Sequence, residues 1–178
     1  MDRPVATRGG QRLAEAERSA QQAAELASFV EEHHARLVRL AALICLDRLD
    51  AEDAVQNALL RAWRARNTVR DPGRTASWLD RIVVREAIRI RGRLRVRFSV
   101  TARSAGDERN ARDADPAEMA VLRSAFEALP RKLRAVVVLH HYAGYSVSET
   151  ALLLGLPHET ARSRLRLARE RIVAGKGR

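Results

Sequence analysis

The chain has 178 residues, of which 46% are hydrophobic and only 4% aromatic, and its formal net charge is +11. So few aromatic residues favour small helical bundles over β-sandwiches, and the basic excess predicts a polyanionic partner. The single cysteine excludes an internal disulfide and a cysteine-based zinc site.

Nearly all of the basic residues are arginine, which suits bidentate phosphate contacts, although a GC-rich genome would produce the same bias. No apolar run approaches the roughly 18 residues of a membrane span. The first residues also lack the apolar core of a signal peptide. The expected location is therefore cytoplasmic.

The N-terminal 22 residues are predicted to form a disordered or partly helical tail, because they combine Pro and paired Gly with few apolar positions. A helix is predicted from about Ala24 to Leu46. Its core stripe recurs at three- and four-residue spacing: Phe29, His33, Leu37, Leu40 and Ile44. Cys45, in the same apolar run, is expected to be a buried small hydrophobic side chain.

A second helix is predicted from Ala51 to about Arg66, with Asp50 as its N-cap. The side chains expected to face inward are Ala54, Val55, Ala58, Leu59 and Trp63. Those expected at the surface are Glu52, Asp53, Gln56 and Asn57.

The turn signal Asp71-Pro72-Gly73 separates this helix from a third one, which Thr75 or Ser77 is expected to cap and which should continue to about Val96. Its inward residues should be Trp78, Leu79, Ile82 and Val83. Arg81, Arg85 and Arg89 lie four residues apart and share one face, where like charges are mildly destabilising. A phosphate backbone would remove that repulsion, whereas a purely structural role gives no reason to stack them.

Residues from Ser99 to Asp115 lack an apolar stripe and are rich in polar and charged residues, which predicts a linker. Beyond it, Pro116 is expected to open a helix to about Leu129. A break at Pro130 precedes another predicted helix, from Arg131 to Tyr142.

A helix-turn-helix is predicted next. Ser146 and Glu149 have the spacing of a capping box that begins a helix from Val147 to Leu154, and Gly155 suits its left-handed end. A second helix should run from about His158 to Ile172. Its apolar stripe is Ala161, Leu165, Ala168 and Ile172, and its opposite side carries Glu159, Arg162, Ser163, Arg166 and Arg169. The alternative interpretation is that the basic residues form an ordinary solvated face. The occurrence of a capped helix, a tight turn and a second helix together favours DNA contact instead.

The predicted fold class is therefore all-α, with two small helical domains joined by a flexible linker, the second ending in a helix-turn-helix. The expected boundaries are residues 23–98 for the first domain, 99–115 for the linker, 116–174 for the second domain and 175–178 for a short tail.

Taken together, several short motifs resemble those of the extracytoplasmic-function (ECF) class of bacterial RNA polymerase sigma factors over about Phe29 to Ile172. In the first half they are Ala51-Glu52-Asp53-Ala54-Val55-Gln56, Arg61-Ala62-Trp63 and Ser77-Trp78-Leu79-Asp80-Arg81-Ile82. In the second half they are Leu129-Pro130, Ala143-Gly144-Tyr145-Ser146, Leu154-Gly155-Leu156-Pro157 and Thr160-Ala161-Arg162-Ser163-Arg164.

The resemblance implies that the first half is sigma region 2, which binds core RNA polymerase and the minus-10 element, and the second half sigma region 4, which reads the minus-35 element. The implied minus-35 residues are His158, Glu159, Thr160, Arg162, Ser163, Arg164 and Arg166. The implied minus-10 residues are Arg74, Trp78, Arg81, Arg85 and Arg89. The implied polymerase-binding residues are Asp53, Gln56 and Asn57.

The implied partners are core RNA polymerase and promoter DNA, with an anti-sigma factor as a further candidate. A stand-alone helix-turn-helix regulator is the alternative reading. An enzyme is poorly supported, because the sequence has no phosphate-binding Gly loop, no metal-ligand set and no nucleophile with a neighbouring base. His33-His34 and His140-His141 lack a metal-binding pattern, so no metal is expected. The resemblance implies no cofactor and no catalytic residue, because in that family the polymerase performs the chemistry.

Overall fold

The computed structural model describes residues 8–68, 71–90 and 116–176, and these ranges are helical without a β-strand. The helices are α1 (Arg8–Cys45), α2 (Arg48–Ala65), α3 (Thr75–Arg89), α4 (Pro116–Glu127), α5 (Arg131–Val137), α6 (Val147–Leu154) and α7 (His158–Lys176). Two 3-10 turns, Arg66–Thr68 and Pro72–Arg74, lie between α2 and α3, and a π-helical turn, Val138–Tyr142, continues α5. The all-α prediction is confirmed.

Helices α1, α2 and α3 pack as one group around small side chains. The alanines of α2 that face the core are completely or almost completely buried: Ala51, Ala54, Ala58 and Ala62. They meet Leu37, Leu40 and Ile44 of α1 and Leu79 and Val83 of α3, all fully buried as well. Alanines on one face let two helix backbones approach closely, so this bundle is compact without large aromatic residues.

Helix α1 begins at Arg8, well before the predicted start at Ala24, and it therefore runs through much of the N-terminal segment. The extension contacts the 3-10 turn after α2, where Nη2 of Arg66 donates to Oγ of Ser19 over 3.1 Å. Met1 to Thr7 lie outside the described residues.

Two predicted caps are wrong. The N-cap of α2 is Asp47, not Asp50: Asp47 is extended and its carboxylate accepts from the backbone N–H of Asp50 over 2.8 Å. Asp50 itself is inside the helix and buried. Neither Thr75 nor Ser77 caps α3, because the N-cap position is Arg74 and no side chain bonds the helix start. The predicted continuation of α3 beyond Ile90 lies outside the described ranges.

The prediction that Trp63 faces inward is also wrong, since 48% of it is exposed. The inward positions of α2 are held by the alanines, which leave no room for an indole beside them. The Trp63 ring instead lies under the guanidinium of Arg66, whose Cζ is 4.7 Å from the ring centroid.

The second group contains α4, α5, α6 and α7. Buried Leu129 and Leu133 meet Ala168 of α7, with Phe126 and Ile172 packed against them. Pro116 opens α4 and Pro130 precedes α5, as predicted. The predicted linker, residues 99–115, lies outside the described part of the chain.

The two groups are the two predicted helical domains, and they pack against each other through one shared cluster of buried side chains. Ala135, Val138, Leu139 and Leu153 of the second group belong to the same buried cluster as the core residues of α1, α2 and α3. The motif order along the chain did not indicate this packing.

Arg134 joins the two groups at a buried position. Its guanidinium donates to Ile44 O at the end of α1 (2.9 Å), and to Glu127 O (3.0 Å) and Leu129 O (2.7 Å) at the end of α4. Carbonyls at helix C-termini have no partner within their helix and carry negative partial charge, so a cation is favourable there. Burial lowers the pKa of Arg134 to about 10, which still leaves it protonated at neutral pH.

None of the described helices is both long and apolar enough to cross a membrane.

Replacing Arg134 with Met keeps the aliphatic volume and removes all three donations. We expect Arg134→Met to lower the free energy of unfolding by about 2–4 kcal/mol, because buried carbonyls lose their donor. Urea denaturation checks this. Arg48→Met, which removes an exposed α2 ion pair with Glu52, should cost no more than about 1 kcal/mol. Equal losses for the two variants would contradict the account of Arg134.

Cys45 is buried, as predicted, and its Sγ lies 3.7 Å from Ala87 O. Burial raises its thiol pKa to about 11.

At about pH 8 the folded Cys45 thiol should therefore hold a roughly hundredfold smaller thiolate fraction than the unfolded one, and it should react correspondingly slowly with iodoacetamide. Mass spectrometry of alkylation with and without urea measures the difference. Similar rates in both states would show that Cys45 is not buried.

Candidate nucleic-acid interface

The helix-turn-helix forms as the sequence predicts. Oγ of Ser146 accepts from Glu149 N (3.2 Å), and the Glu149 carboxylate accepts from Ser146 N (2.8 Å), so the capping box is complete. Hydrogen bonds from Ser146 lower the pKa of Glu149, which keeps that carboxylate ionised. Gly155 ends α6 with φ 67°, a left-handed conformation that glycine adopts without a Cβ clash.

Helix α7 has a buried and an exposed side. Ala161 and Ala168 are fully buried, and Leu165 and Ile172 are partly buried. The exposed side carries the five residues predicted there: Glu159, Arg162, Ser163, Arg166 and Arg169. His158 is exposed at the helix start, whereas Thr160 and Arg164 are half-buried at its flanks. The predicted minus-35 residues therefore form one continuous surface on α7.

The predicted minus-10 residues lie on α3 and the turn before it. Arg74, Arg81 and Arg89 are exposed, and Trp78 and Arg85 are half-buried. Burial, together with the charges of Arg81 and Arg89, lowers the pKa of Arg85. The three arginines thus share a face as predicted and repel one another.

One of these arginines has a structural partner that the sequence did not indicate. Buried Glu86 accepts from both Arg89 and Arg61, each over 3.0 Å. The expectation that no structural role would explain the arginines is wrong for Arg89. It remains exposed and can still meet a phosphate.

The two arginine-bearing surfaces meet at one point. A methyl group on the Cα of Gly155 would lie 2.7 Å from Nη2 of Arg85, so the Arg85 guanidinium rests against the turn of the helix-turn-helix. The left-handed backbone conformation of Gly155 favours glycine there, whereas the Arg85 guanidinium is the flexible end of a side chain and could shift to admit a methyl group.

A third surface lies on α2. Gln56 and Asn57 are exposed there and Asp53 is half-exposed. Next to them Leu60 is 56% exposed, and Leu49 and Trp63 also reach the surface. Sequence reasoning missed Leu60. Its position one residue outside the predicted inward stripe of α2 was the sequence signal that this leucine would be exposed.

Among the described residues no cluster of His, Cys, Asp or Glu is arranged to hold a metal ion. His140 instead contacts Tyr145 O through Nδ1 over 2.7 Å, which gives it a structural partner.

Comparison with known proteins gives two family matches in chain order. Residues 29–97 match the model for sigma-70 region 2, and residues 119–172 match the one for sigma-70 region 4. The α1 extension before residue 29 lies outside both.

Relatives match over most of the chain. The chain is 37% identical to the ECF RNA polymerase sigma factor SigM of Mycobacterium tuberculosis over 143 residues, covering 79% of this chain and 71% of SigM. It is 33% identical to SigL of the same species over 155 residues, covering 84% and 88% of the two chains.

Two solved structures have the same fold. The structure of CnrH in complex with the cytosolic domain of CnrY gives a TM-score of 0.60 at 27% identity, covering 88% of this chain and 92% of that one. The structure of the sigma factor RpoE in complex with the anti-sigma factor NepR, from Bartonella quintana, gives a TM-score of 0.57 at 19% identity, covering 83% of this chain and 96% of that one. This likeness concerns the fold alone. With both sigma regions present in order, this chain belongs to the ECF subfamily of RNA polymerase sigma factors.

Proposed function

We propose that this chain binds core RNA polymerase through α2 and selects promoters through α7 at the minus-35 element and through α3 at the minus-10 element. The observation that carries the proposal is the exposed row of Arg162, Ser163 and Arg166 on the second helix of a capped helix-turn-helix. In this proposal the chain acts in the cytoplasm, needs no cofactor and supplies no catalytic residue, because the polymerase performs the chemistry.

Helix α7 has the chemistry of a recognition helix. Arginine forks such as those of Arg162 and Arg166 pair with the guanine edge in the major groove, and Ser163 offers a hydroxyl that suits several bases. Glu159 can accept from a cytosine amine. Thr160 and Arg164, half-buried at the flanks, are placed for phosphates, and His158 stands at the helix start, where positive dipole and free N–H groups favour anions.

Helix α3 has the chemistry of a single-strand binding surface. Such surfaces combine basic side chains along the backbone with aromatic rings or pockets for unstacked bases. Arg74, Arg81, Arg85 and Arg89 supply the charge, and the half-buried Trp78 supplies an aromatic ring fixed by packing.

The α2 surface suits a protein partner better than a nucleic acid. An exposed leucine, Leu60, stands beside the polar Asn57 and Gln56, and apolar area with a polar rim marks protein interfaces. We assign the polymerase contact to this surface, with Asp53 at its edge. An anti-sigma factor is a further candidate partner, and CnrH, which is 27% identical to this chain, was solved in complex with the cytosolic domain of another protein, CnrY.

The stand-alone regulator is less well supported, because the region 2 match gives the first group of helices a role that such a regulator does not need.

The α7 assignment predicts different effects for neighbouring arginines. Arg162→Ala should relax selectivity at one minus-35 position by roughly 1–3 kcal/mol, because a base contact is lost. Arg164→Ala should weaken all promoters alike and reduce the salt dependence, because a phosphate contact is lost. In vitro transcription from a library randomised at the minus-35 element measures both. Uniform weakening by Arg162→Ala would contradict its base-reading role.

The α2 assignment predicts loss of polymerase binding when a charge is placed at Leu60. Leu60→Glu should weaken binding to core RNA polymerase about tenfold or more, because an unpaired carboxylate would be buried at the interface. Affinity pull-down and run-off transcription measure binding and promoter-selective initiation.

Ala35→Glu is the matched control, since it adds the same charge to an exposed position of α1. It should bind core polymerase like the unaltered chain. If the unaltered chain neither binds core polymerase nor gives it promoter selectivity, the proposed function is wrong.

A further inference from the structure

A buried carboxylate lies between two arginines where α2 packs on α3. Oε1 of Glu86 accepts from Nε of Arg61 on α2 and from Nη1 of Arg89 on α3, each over 3.0 Å. Because both contacts end on the same oxygen atom, the two guanidinium nitrogens lie no farther apart than twice that distance. We call Arg61, Glu86 and Arg89 the paired-arginine site.

The two arginines of this site are fixed on the inside and open on the outside. The Glu86 side chain is only 7% exposed, whereas the side chains of Arg61 and Arg89 are 54% and 60% exposed. A guanidinium has five N–H donors in a planar fork, and the contact with Glu86 uses Nε of one arginine and Nη1 of the other. The remaining donors of both forks can therefore serve a ligand at the surface.

The charges of the site are balanced by one further anion. A single arginine is enough to pair with Glu86, and a second one leaves a net positive charge and places two like charges close together. A structural ion pair therefore explains one arginine and not the other. A phosphodiester carries one negative charge and two free oxygens, so it would neutralise the excess charge and accept from both forks.

The position of the site favours a nucleic-acid phosphate as that anion. Arg89 follows Arg85 by four residues on the exposed basic face of α3, so the site is continuous with the proposed minus-10 surface. The contact with Glu86 brings Arg61 to the same place from α2, a helix that otherwise contributes only to the proposed polymerase surface.

We propose that the paired-arginine site binds one backbone phosphate of the promoter strand held by α3. In this proposal Arg61 is a DNA contact contributed by α2, and Glu86 is a positioning residue that orients both arginines. This inference rests on the proposed function.

The role of Glu86 follows from the sign of its charge. A carboxylate beside a DNA surface reduces the positive charge there, which by itself would weaken phosphate binding. Its contribution is instead to hold two long side chains in one geometry, so that less side-chain freedom is lost when the phosphate binds. Removing the carboxylate should therefore weaken binding although it makes the chain more positive.

The test uses the full-length chain in complex with core RNA polymerase and a promoter DNA that the unaltered complex transcribes. Neutral methylphosphonates replace the phosphodiesters of the non-template minus-10 strand one at a time, and fluorescence anisotropy measures the affinity for each DNA. The variants are Arg61→Gln, Arg89→Gln and Glu86→Met. The matched controls are Arg48→Gln and Glu52→Met, which alter an exposed arginine–glutamate pair of α2 outside the site.

We expect one methylphosphonate position to lower the affinity of the unaltered complex and of both controls about tenfold, because charge-assisted hydrogen bonds are lost there. Arg61→Gln and Arg89→Gln should each bind the unmodified DNA more weakly and lose the sensitivity at that same position. Combining the two should weaken binding by less than the product of their separate effects, since both act on one phosphate.

Glu86→Met should also weaken binding and lose this sensitivity, whereas Glu52→Met should not. Circular dichroism checks that helix content is kept. If Glu86→Met loses helix content, Glu86→Gln, which keeps the shape and one acceptor oxygen, should show the same changes to a smaller extent.

Unchanged methylphosphonate sensitivity in Arg61→Gln would overturn the proposal, as would loss of sensitivity at different positions in Arg61→Gln and Arg89→Gln. Weaker binding of Arg61→Gln to core polymerase without a phosphate-specific effect would also overturn it, and would assign Arg61 to an acidic group of the polymerase. Tighter DNA binding by Glu86→Met would contradict the positioning role. Failure of the proposed function would appear earlier, as an unaltered chain that neither binds core polymerase nor directs transcription.

Discussion

The structure depends on a buried carboxylate that needs partners from three parts of the chain. An ionised Asp80 without donors would be costly in a protein interior, so its position requires Arg36 on α1 and benefits from Tyr145 before α6. The bidentate pair raises the pKa of Arg36, and burial with the nearby carboxylate raises that of Tyr145, so both donors keep their protons at neutral pH. One side chain thus fixes α1 against α3 and holds the helix-turn-helix to both.

In a chain with a net charge of +11, hydrogen-bond partners distinguish the arginines that stabilise the fold from those proposed to bind DNA. Arg36, Arg131 and Arg134 are turned inward, where carboxylates or helix-end carbonyls receive their donations. Arg162 and Arg166 are turned outward on α7. The inward set holds the fold together and the outward set is available to DNA, so charge alone does not identify a binding residue.

Features set by neighbouring residues were predictable from the sequence. The capping box, the left-handed Gly155 and the apolar stripe of α7 follow from local backbone chemistry, and each formed as expected. Features set by distant residues were not. Asp50 looked like a cap because its partner Arg131 is far along the chain, and Trp63 looked like core because the sequence does not show that alanines fill the α2 interface. The shared core between the two groups depends on the same long-range packing.

The central claim is that the α2 surface contacts core RNA polymerase while the outward arginines of α7 read promoter DNA. Hydrogen–deuterium exchange of residues 53–60 in α2 and 158–166 in α7, compared between the free chain and its complex with core RNA polymerase and promoter DNA, tests this most directly. The account predicts slower exchange of both segments in the complex than in the free chain. Unchanged exchange of both segments in a transcriptionally active complex would contradict it.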